Sequence, residues 1–398
     1  EWKELNAIPG DEKEIENRFF APLEFGTAGL RGTMKLGLHH MNVHIIRHAT
    51  QAFANVISAE GEEAKRRGIV IAHDCRLNGE TFAKEAACVM AANGVRVRIF
   101  DALRPTPELS FSVLYYGAAA GLNVTASHNP KEYNGYKVYD SKGCQLVPDD
   151  AERLIGYVNA VTDLGGIPLM PLDEAEKAGR LTYIGEETLE AFLCEVKKLS
   201  LYSEKSNLRI VYTPLHGTGN IPVRRILADK NVSVVAAQEL PDGEFSTVRS
   251  PNPEEHDALL LAIEQAKAEG ADIVIGTDPD SDRTGIVLKD KSGEYVTLSG
   301  NQVGVLLTDY IITAKKLTNT MPAHPAVLKS IVTTEMARAA AEKNGVECFD
   351  TFTGFKFLAE KIKQFEQDGS HEYIFAFEES YGYLCGDYAR DKDAVTAS

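Results

Sequence analysis

The stretch G-I-V-I-A-H (68–73), followed by a helix-like segment over 80–92, then V-R-V-R-I (95–99) and A-A-G-L-N-V (119–124), decides the fold. Short apolar runs separated by longer segments of helical spacing predict β-α-β-α-β, with another helical stretch between the second and third runs. The same order recurs with runs at 208–213, 233–237 and 272–276, where the helical stretch 257–269 stops at Gly270, and again at 326–332, 346–349 and 373–377. In each copy the third run opens into a polar loop rich in reactive side chains. A further strand then follows, as G-Y-K-V-Y (135–139), G-I-V-L (285–288) and Y-G-Y-L (381–384). The expectation is an α/β protein of three homologous domains, each with a mixed, mostly parallel sheet. Ligands of open parallel sheets bind outside the carboxyl ends of strands, so the three loops are expected to line one central cleft. The domains are expected at 1–165, 180–290 and 295–398, with linkers near 163–180, which holds G-G-I-P-L-M-P, and near 289–299.

A chain of 398 residues, 44% hydrophobic and 25% charged, exceeds what one core serves, in keeping with several domains. Its formal net charge of −16 opposes attraction to nucleic acid or anionic lipid, so an anionic ligand has to be caught in a local cationic pocket. A small phosphosugar meets that condition. No uncharged apolar run reaches membrane-spanning length, and the first twenty residues are too acidic for a signal or transit peptide. The six cysteines contain no C-x-x-C pair, against a disulfide framework or a zinc site. A cytoplasmic protein with reduced thiols is expected.

The first loop is T-A-S-H-N-P (125–130), where Ser127 is able to project its hydroxyl from a strand-terminal turn beside His128. Alone it reads equally as an ordinary turn. The strained G-x-S-x-G elbow of a hydrolase nucleophile is missing. The second loop, G-T-D-P-D-S-D-R-T-G (276–285), sets Asp278, Asp280 and Asp282 at alternate positions, a set of hard oxygen ligands suited to Mg²⁺. An EF-hand is excluded by Arg283 at the sixth position and Lys289 at the twelfth, where glycine and glutamate are needed. Arg283 adds a guanidinium for a phosphate or carboxylate oxygen. D-S-D-R-T (280–284) also fits phosphatases that use an aspartyl-phosphate, with Asp280 as nucleophile, but that motif usually opens its domain and would leave Ser127 idle; metal ligation is favoured. The third loop, F-E-E-S-Y-G (377–382), offers Glu378 and Ser380 to sugar hydroxyls, though its acidic pair Glu378–Glu379 reads equally as a solvated turn. Lys329, T-G-F-K (353–356) and R-D-K-D (390–393) concentrate cations that a phosphate-binding cleft would use, and that alone read equally as solvated surface. H-G-T-G (216–219) is read as a tight glycine turn rather than an anion site, and with no Walker A or G-x-G-x-x-G sequence, nucleotide binding is unsupported.

Together with F-G-T-A-G-L-R-G (25–32) and Y-N-G-Y-K (133–137), these motifs resemble the α-D-phosphohexomutase superfamily, most nearly the bacterial phosphoglucomutases, from about residue 20 to the end. The resemblance implies that Ser127 carries the phosphoryl group and that Asp278, Asp280 and Asp282 hold Mg²⁺ together with a phosphoserine oxygen. It implies that Arg31, His128, Lys137, Arg283 and Lys392 surround the transferring phosphate, with Lys137 and Lys392 as proton carriers, and that Thr353, Gly354, Glu378 and Ser380 read the sugar. The implied reaction interconverts glucose 1-phosphate and glucose 6-phosphate through glucose 1,6-bisphosphate, with mannose or pentose phosphates as alternative substrates. A phosphosugar-binding regulatory module is the rival outside enzymology. After R-D-K-D-A-V-T-A-S the resemblance calls for a fourth domain with an R-x-S-G-T-E-P-type phosphate loop, which these 398 residues do not contain. Reduced turnover of this chain is therefore expected.

Overall fold

The computed structural model describes residues 2–26, 29–201 and 207–398. The apolar runs become strands. Six build the first sheet: β1 (Leu30–Thr33), β2 (Ile69–His73), β3 (Val97–Phe100), β4 (Ala120–Val124), β5 (Tyr133–Tyr139) and β6 (Leu181–Ile184). Five build the second: β7 (Arg209–Thr213), β8 (Asn231–Val234), β9 (Ile273–Thr277), β10 (Thr284–Lys289) and β11 (Tyr295–Leu298). Four build the third: β12 (Pro325–Ser330), β13 (Glu347–Thr351), β14 (Glu372–Glu378) and β15 (Gly382–Leu384).

The sheet orders are β1-β5-β4-β2-β3-β6, β11-β10-β9-β7-β8 and β13-β12-β14-β15. One plan underlies all three. The first strand of each copy (β2, β7, β12) pairs in parallel with the second on one side and the third on the other, and the fourth (β5, β10, β15) pairs antiparallel with the third. The central strands are buried along nearly their whole length, as parallel strands covered on both faces must be. The helix Gly79–Ala92 supplies such a cover in the first domain, burying Phe82, Ala83, Ala86, Ala87 and Met90 at helical spacing. The chain thus consists of three α/β domains with mixed sheets.

By contacts it divides into two units: residues up to Arg104 with Ser112–Gly185, and Pro105–Phe111 with Glu186–Ser398. The second unit holds both the second and third sheets, because Phe192, Tyr212 and Ile275 share one core with Leu328, Phe355 and Tyr388. Several expected boundaries are corrected. β6 pairs with β3, so 181–184 belongs to the first sheet and not to a domain beginning at 180. β11 pairs with β10, so 295–298 closes the second sheet instead of opening the third domain. The run 233–237 is shifted: β8 starts at Asn231, and Ala236 already lies in the short helix Ala236–Glu239. Among the described residues no helix is long and apolar enough to cross a membrane, and no disulfide is formed.

Candidate active site

In the first unit, the loop after β4 holds Ser127 at a φ of 53°, a left-handed conformation that a non-glycine residue adopts at a cost of about 1–3 kcal/mol. Its N–H donates to Thr125 Oγ1 (2.9 Å), whose hydroxyl donates to Asp74 Oδ2 (2.6 Å). Ser127 Oγ lies 3.2 Å from His128 Nδ1. Arg31, exposed on β1, donates to Asn129 Oδ1 at 3.1 Å, so the arginine of the F-G-T-A-G-L-R-G motif reaches the serine loop. Thr27 and Ala28 of that motif lie outside the described residues. Lys137 is buried on β5, registered with Asn123 of β4, four residues before Ser127. Strand pairing accordingly gathers Arg31, Ser127, His128 and Lys137 at one end of the sheet.

In the second unit, the loop after β9 carries Asp278, Asp280 and Asp282, all buried, with one ligand oxygen from each within 4.8 Å of the others. The loop is folded by its own first aspartate: Asp278 Oδ1 accepts the N–H groups of Asp282 and Arg283, each at 3.0 Å, while Ser281 takes a φ of 53°. Burial, reinforced by the charges of Asp280 and Asp282, holds the Asp278 carboxyl well above the usual carboxylate range. Three buried carboxylates at this spacing form the donor set of a hard divalent cation, whose charge would remove that repulsion. Cations stand close: Lys392 Nζ is 3.3 Å from Asp282 Oδ2, and Arg283 Nε is 3.8 Å from Asp282 Oδ1, its Nη1 being paired with Glu254. Burial works to lower the Lys392 pKa, but Asp282, with Asp391 and Glu378, outweighs it and holds the ammonium protonated. Lys392 needs a glycine opposite: a Cβ on Gly382 would fall 1.9 Å from Lys392 Cδ.

H-G-T-G packs beneath the aspartate loop. Thr218 N–H donates to Pro279 O at 2.8 Å, and a Cβ on Gly217 would lie 2.5 Å from Pro279 Cα and 2.9 Å from Asp278 O. These are backbone atoms that cannot step aside. Gly217→Ala is expected to cost about 1–3 kcal/mol by overpacking and to weaken divalent-metal binding as well. A thermal melt paired with a metal titration checks both, and a melting temperature equal to that of the parent protein would contradict the packing argument.

In the third loop, Glu378 is buried at the end of β14 and its Oε1 accepts the Gly354 N–H at 2.7 Å, bringing the two expected sugar-reading segments together. Burial raises the Glu378 pKa, opposed by the Lys392 charge. Thr353 is exposed and Ser380 half-buried at the same edge. Lys329, expected among the substrate contacts, is corrected. It is fully buried on β12, and its ammonium is held by Glu335 and Asp350, each at 2.8 Å, and by Thr333 O at 3.1 Å. These partners engage the ammonium within the third domain, and burial demands such pairing.

Two residues of this region were not singled out from sequence. Thr106, in R-P-T-P (104–107), donates its hydroxyl to Asp280 Oδ2 and its N–H to Asp280 O, both at 2.8 Å, and so orients that carboxylate. Glu254, in P-N-P-E-E, holds Arg283. Neither has a local pattern; each is recognisable only through a partner remote in sequence.

Three family descriptions match consecutive segments: the phosphoglucomutase/phosphomannomutase α/β/α domain I over residues 22–164, domain II over 190–293 and domain III over 299–398. The phosphoglucomutase of Staphylococcus haemolyticus is 38% identical over 385 residues, covering 96% of this chain and 68% of its own length. The chain belongs to the phosphoglucomutase/phosphomannomutase family. As a phosphosugar mutase it is an isomerase that relocates a phosphoryl group within a sugar phosphate. Solved structures agree in fold. A phosphoglucomutase/phosphomannomutase family protein from Burkholderia thailandensis matches with a TM-score of 0.73 at 19% identity, over 94% of this chain and 74% of its own. An Aspergillus fumigatus N-acetylphosphoglucosamine mutase, solved with GlcNAc-6P and magnesium, matches with a TM-score of 0.54 at 14% identity, over 95% of this chain and 76% of its own.

Proposed function

We propose that this mutase interconverts glucose 1-phosphate and glucose 6-phosphate through phosphoserine 127 and glucose 1,6-bisphosphate, with Mg²⁺ bound by Asp278, Asp280, Asp282 and a phosphoserine oxygen. The observation that carries this reading is the buried aspartate trio with Lys392 and Arg283 against it, in a chain related to a phosphoglucomutase. A site that joins a hard-cation donor set to fixed positive side chains suits an incoming phosphoryl group and little else. Mg²⁺, when bound, supplies Lewis-acid neutralisation of charge on the phosphoryl oxygens.

The chain's own residues do the rest. Ser127 donates and recovers the phosphoryl group; Arg31, His128 and Arg283 hold its equatorial oxygens. Lys137 and Lys392 carry protons between the sugar hydroxyl and Ser127 Oγ. Thr353, Gly354, Glu378 and Ser380 bind the sugar hydroxyls. The bisphosphate turns end for end between the two transfers, so these contacts have to serve two orientations of the ring. The acidic charge and the absence of disulfides among the described residues support a cytosolic setting.

Asp280 as a phosphorylated nucleophile is the weaker alternative, because one of its oxygens already accepts the Thr106 hydroxyl and its carboxylate belongs to the aspartate trio. The test is to incubate the protein with glucose 1,6-bisphosphate and Mg²⁺ and map the label. An acid-stable, hydroxylamine-resistant phosphate on Ser127 is expected, with glucose 1-phosphate turned over in preference to mannose 1-phosphate. A hydroxylamine-labile adduct on Asp280 would replace this mechanism with the phosphatase-like one.

A further inference from the structure

We infer that Arg76 is the positioning residue that sets Ser127 in its reacting conformation. The inference rests on Ser127 being the phosphoryl carrier, as proposed above. Arg76 follows β2 in D-C-R (74–76), and its side chain is entirely buried. One guanidinium ties three main-chain carbonyls of the serine loop and one at the start of β5: Nη2 donates to Ser127 O and to Asn129 O (2.6 Å), and Nη1 to Pro130 O (3.0 Å) and Tyr133 O (3.1 Å). Its Nε lies 3.3 Å from Asp74 Oδ2, and Asp74 Oδ1 accepts the Arg76 N–H at 2.9 Å.

The network closes on the serine from both sides. Asp74 holds Thr125, Thr125 holds the Ser127 N–H, and Arg76 holds the Ser127 carbonyl. Both peptide groups flanking the left-handed φ of Ser127 are thereby fixed, which is the over-determination that such a conformation requires. Only a guanidinium can do this. Its planar fork presents five donors, whereas an ammonium presents three around a point. A buried charge is costly unless its donors are satisfied, so this arginine is more expensive than a loop of ordinary turns needs. Through these bonds Arg76 acts on the backbone of Ser127, and so on the direction of its Oγ.

The experiment uses Arg76→Ala and Arg76→Lys in the intact protein. The readouts are kcat and KM for glucose 1-phosphate, the single-turnover rate at which glucose 1,6-bisphosphate phosphorylates Ser127, and the melting temperature. Arg76→Ala is expected to lower kcat and the phosphorylation rate by about 10²-fold, the loss that a misplaced reacting group brings, with a much smaller change in KM. Millimolar guanidinium should return a substantial part of that loss, while the same ionic strength of sodium chloride should not. Arg76→Lys should fall between Arg76→Ala and the parent. The inference fails if activity drops only in proportion to the unfolded fraction, or if guanidinium does no more than salt. Should Arg76→Ala not fold, an unchanged phosphorylation rate in Arg76→Lys overturns it. A parent protein labelled elsewhere than Ser127 overturns the proposed function and this inference together; a parent labelled on Ser127 with unaltered rates in both variants overturns this inference alone.

Discussion

Ser127→Ala is expected to abolish interconversion of glucose 1-phosphate and glucose 6-phosphate, by on the order of 10⁴-fold or more, as removal of a covalent nucleophile does in other enzymes. Every proposed cycle passes the phosphoryl group through this oxygen twice, so no partial route remains once it is gone. The fold should survive. Alanine keeps the N–H that donates to Thr125 Oγ1 and the carbonyl that accepts from Arg76, while the Oγ contact with His128 is lost. Divalent-metal binding should be weakened modestly, because the three aspartates are untouched and only the phosphoserine oxygen is lost. The measurements are turnover coupled to glucose 6-phosphate detection, intact mass after exposure to glucose 1,6-bisphosphate, and a thermal melt. A stably folded variant with more than a hundredth of parent turnover would remove Ser127 from the reaction path.

The strand plan was legible because each central strand is a continuous apolar run bounded by glycine or polar residues, as at Ile69–His73, and because the reactive loops fall after the third run of each copy. Edge strands were not. β6 and β11 are short, are at most half covered over much of their length and sit beside what reads as linker, so nothing in L-T-Y-I or Y-V-T-L reveals which sheet they join. The division into units escaped for a related reason: Pro105–Phe111 leaves the first sheet's unit for the second through contacts of Thr106 and Ser110 with residues far along the chain. At the site, the aspartate cluster announced itself because its ligands lie within five residues. The pairing of Lys329 leaves no local trace because its partners Glu335 and Asp350 come from separate elements, and that of Arg76 leaves none because the groups it binds are backbone carbonyls, which carry no sequence signature.

Asp280→Asn is expected to weaken magnesium binding by more than about 10²-fold, since altering an outer-shell partner alone typically costs 10–100-fold and this change alters a ligand. The amide keeps an oxygen for the Thr106 hydroxyl, so the loop's internal bonds remain and the fold should stay intact. In the metal-free protein the variant should melt at or above the parent, because one of three mutually repelling buried carboxylates has lost its charge. The pH dependence follows. The Asp278 carboxyl is harder to ionise in the folded protein than in the unfolded chain. Its contribution to stability is therefore complete below its ordinary value of 3.8 and is lost as pH rises through the raised folded value. Metal-free parent protein should lose stability relative to Asp280→Asn as pH climbs through that window. Saturating Mg²⁺ should reverse the order: at a concentration one hundred times the parent's Kd, linkage stabilises the parent by about 2.7 kcal/mol and a variant bound a hundredfold more weakly by roughly 0.4 kcal/mol. Calorimetric titration and melts with and without magnesium measure both effects. Equal magnesium affinity in parent and variant, or an equal rise in melting temperature on adding the ion, would mean that Asp280 is not a ligand.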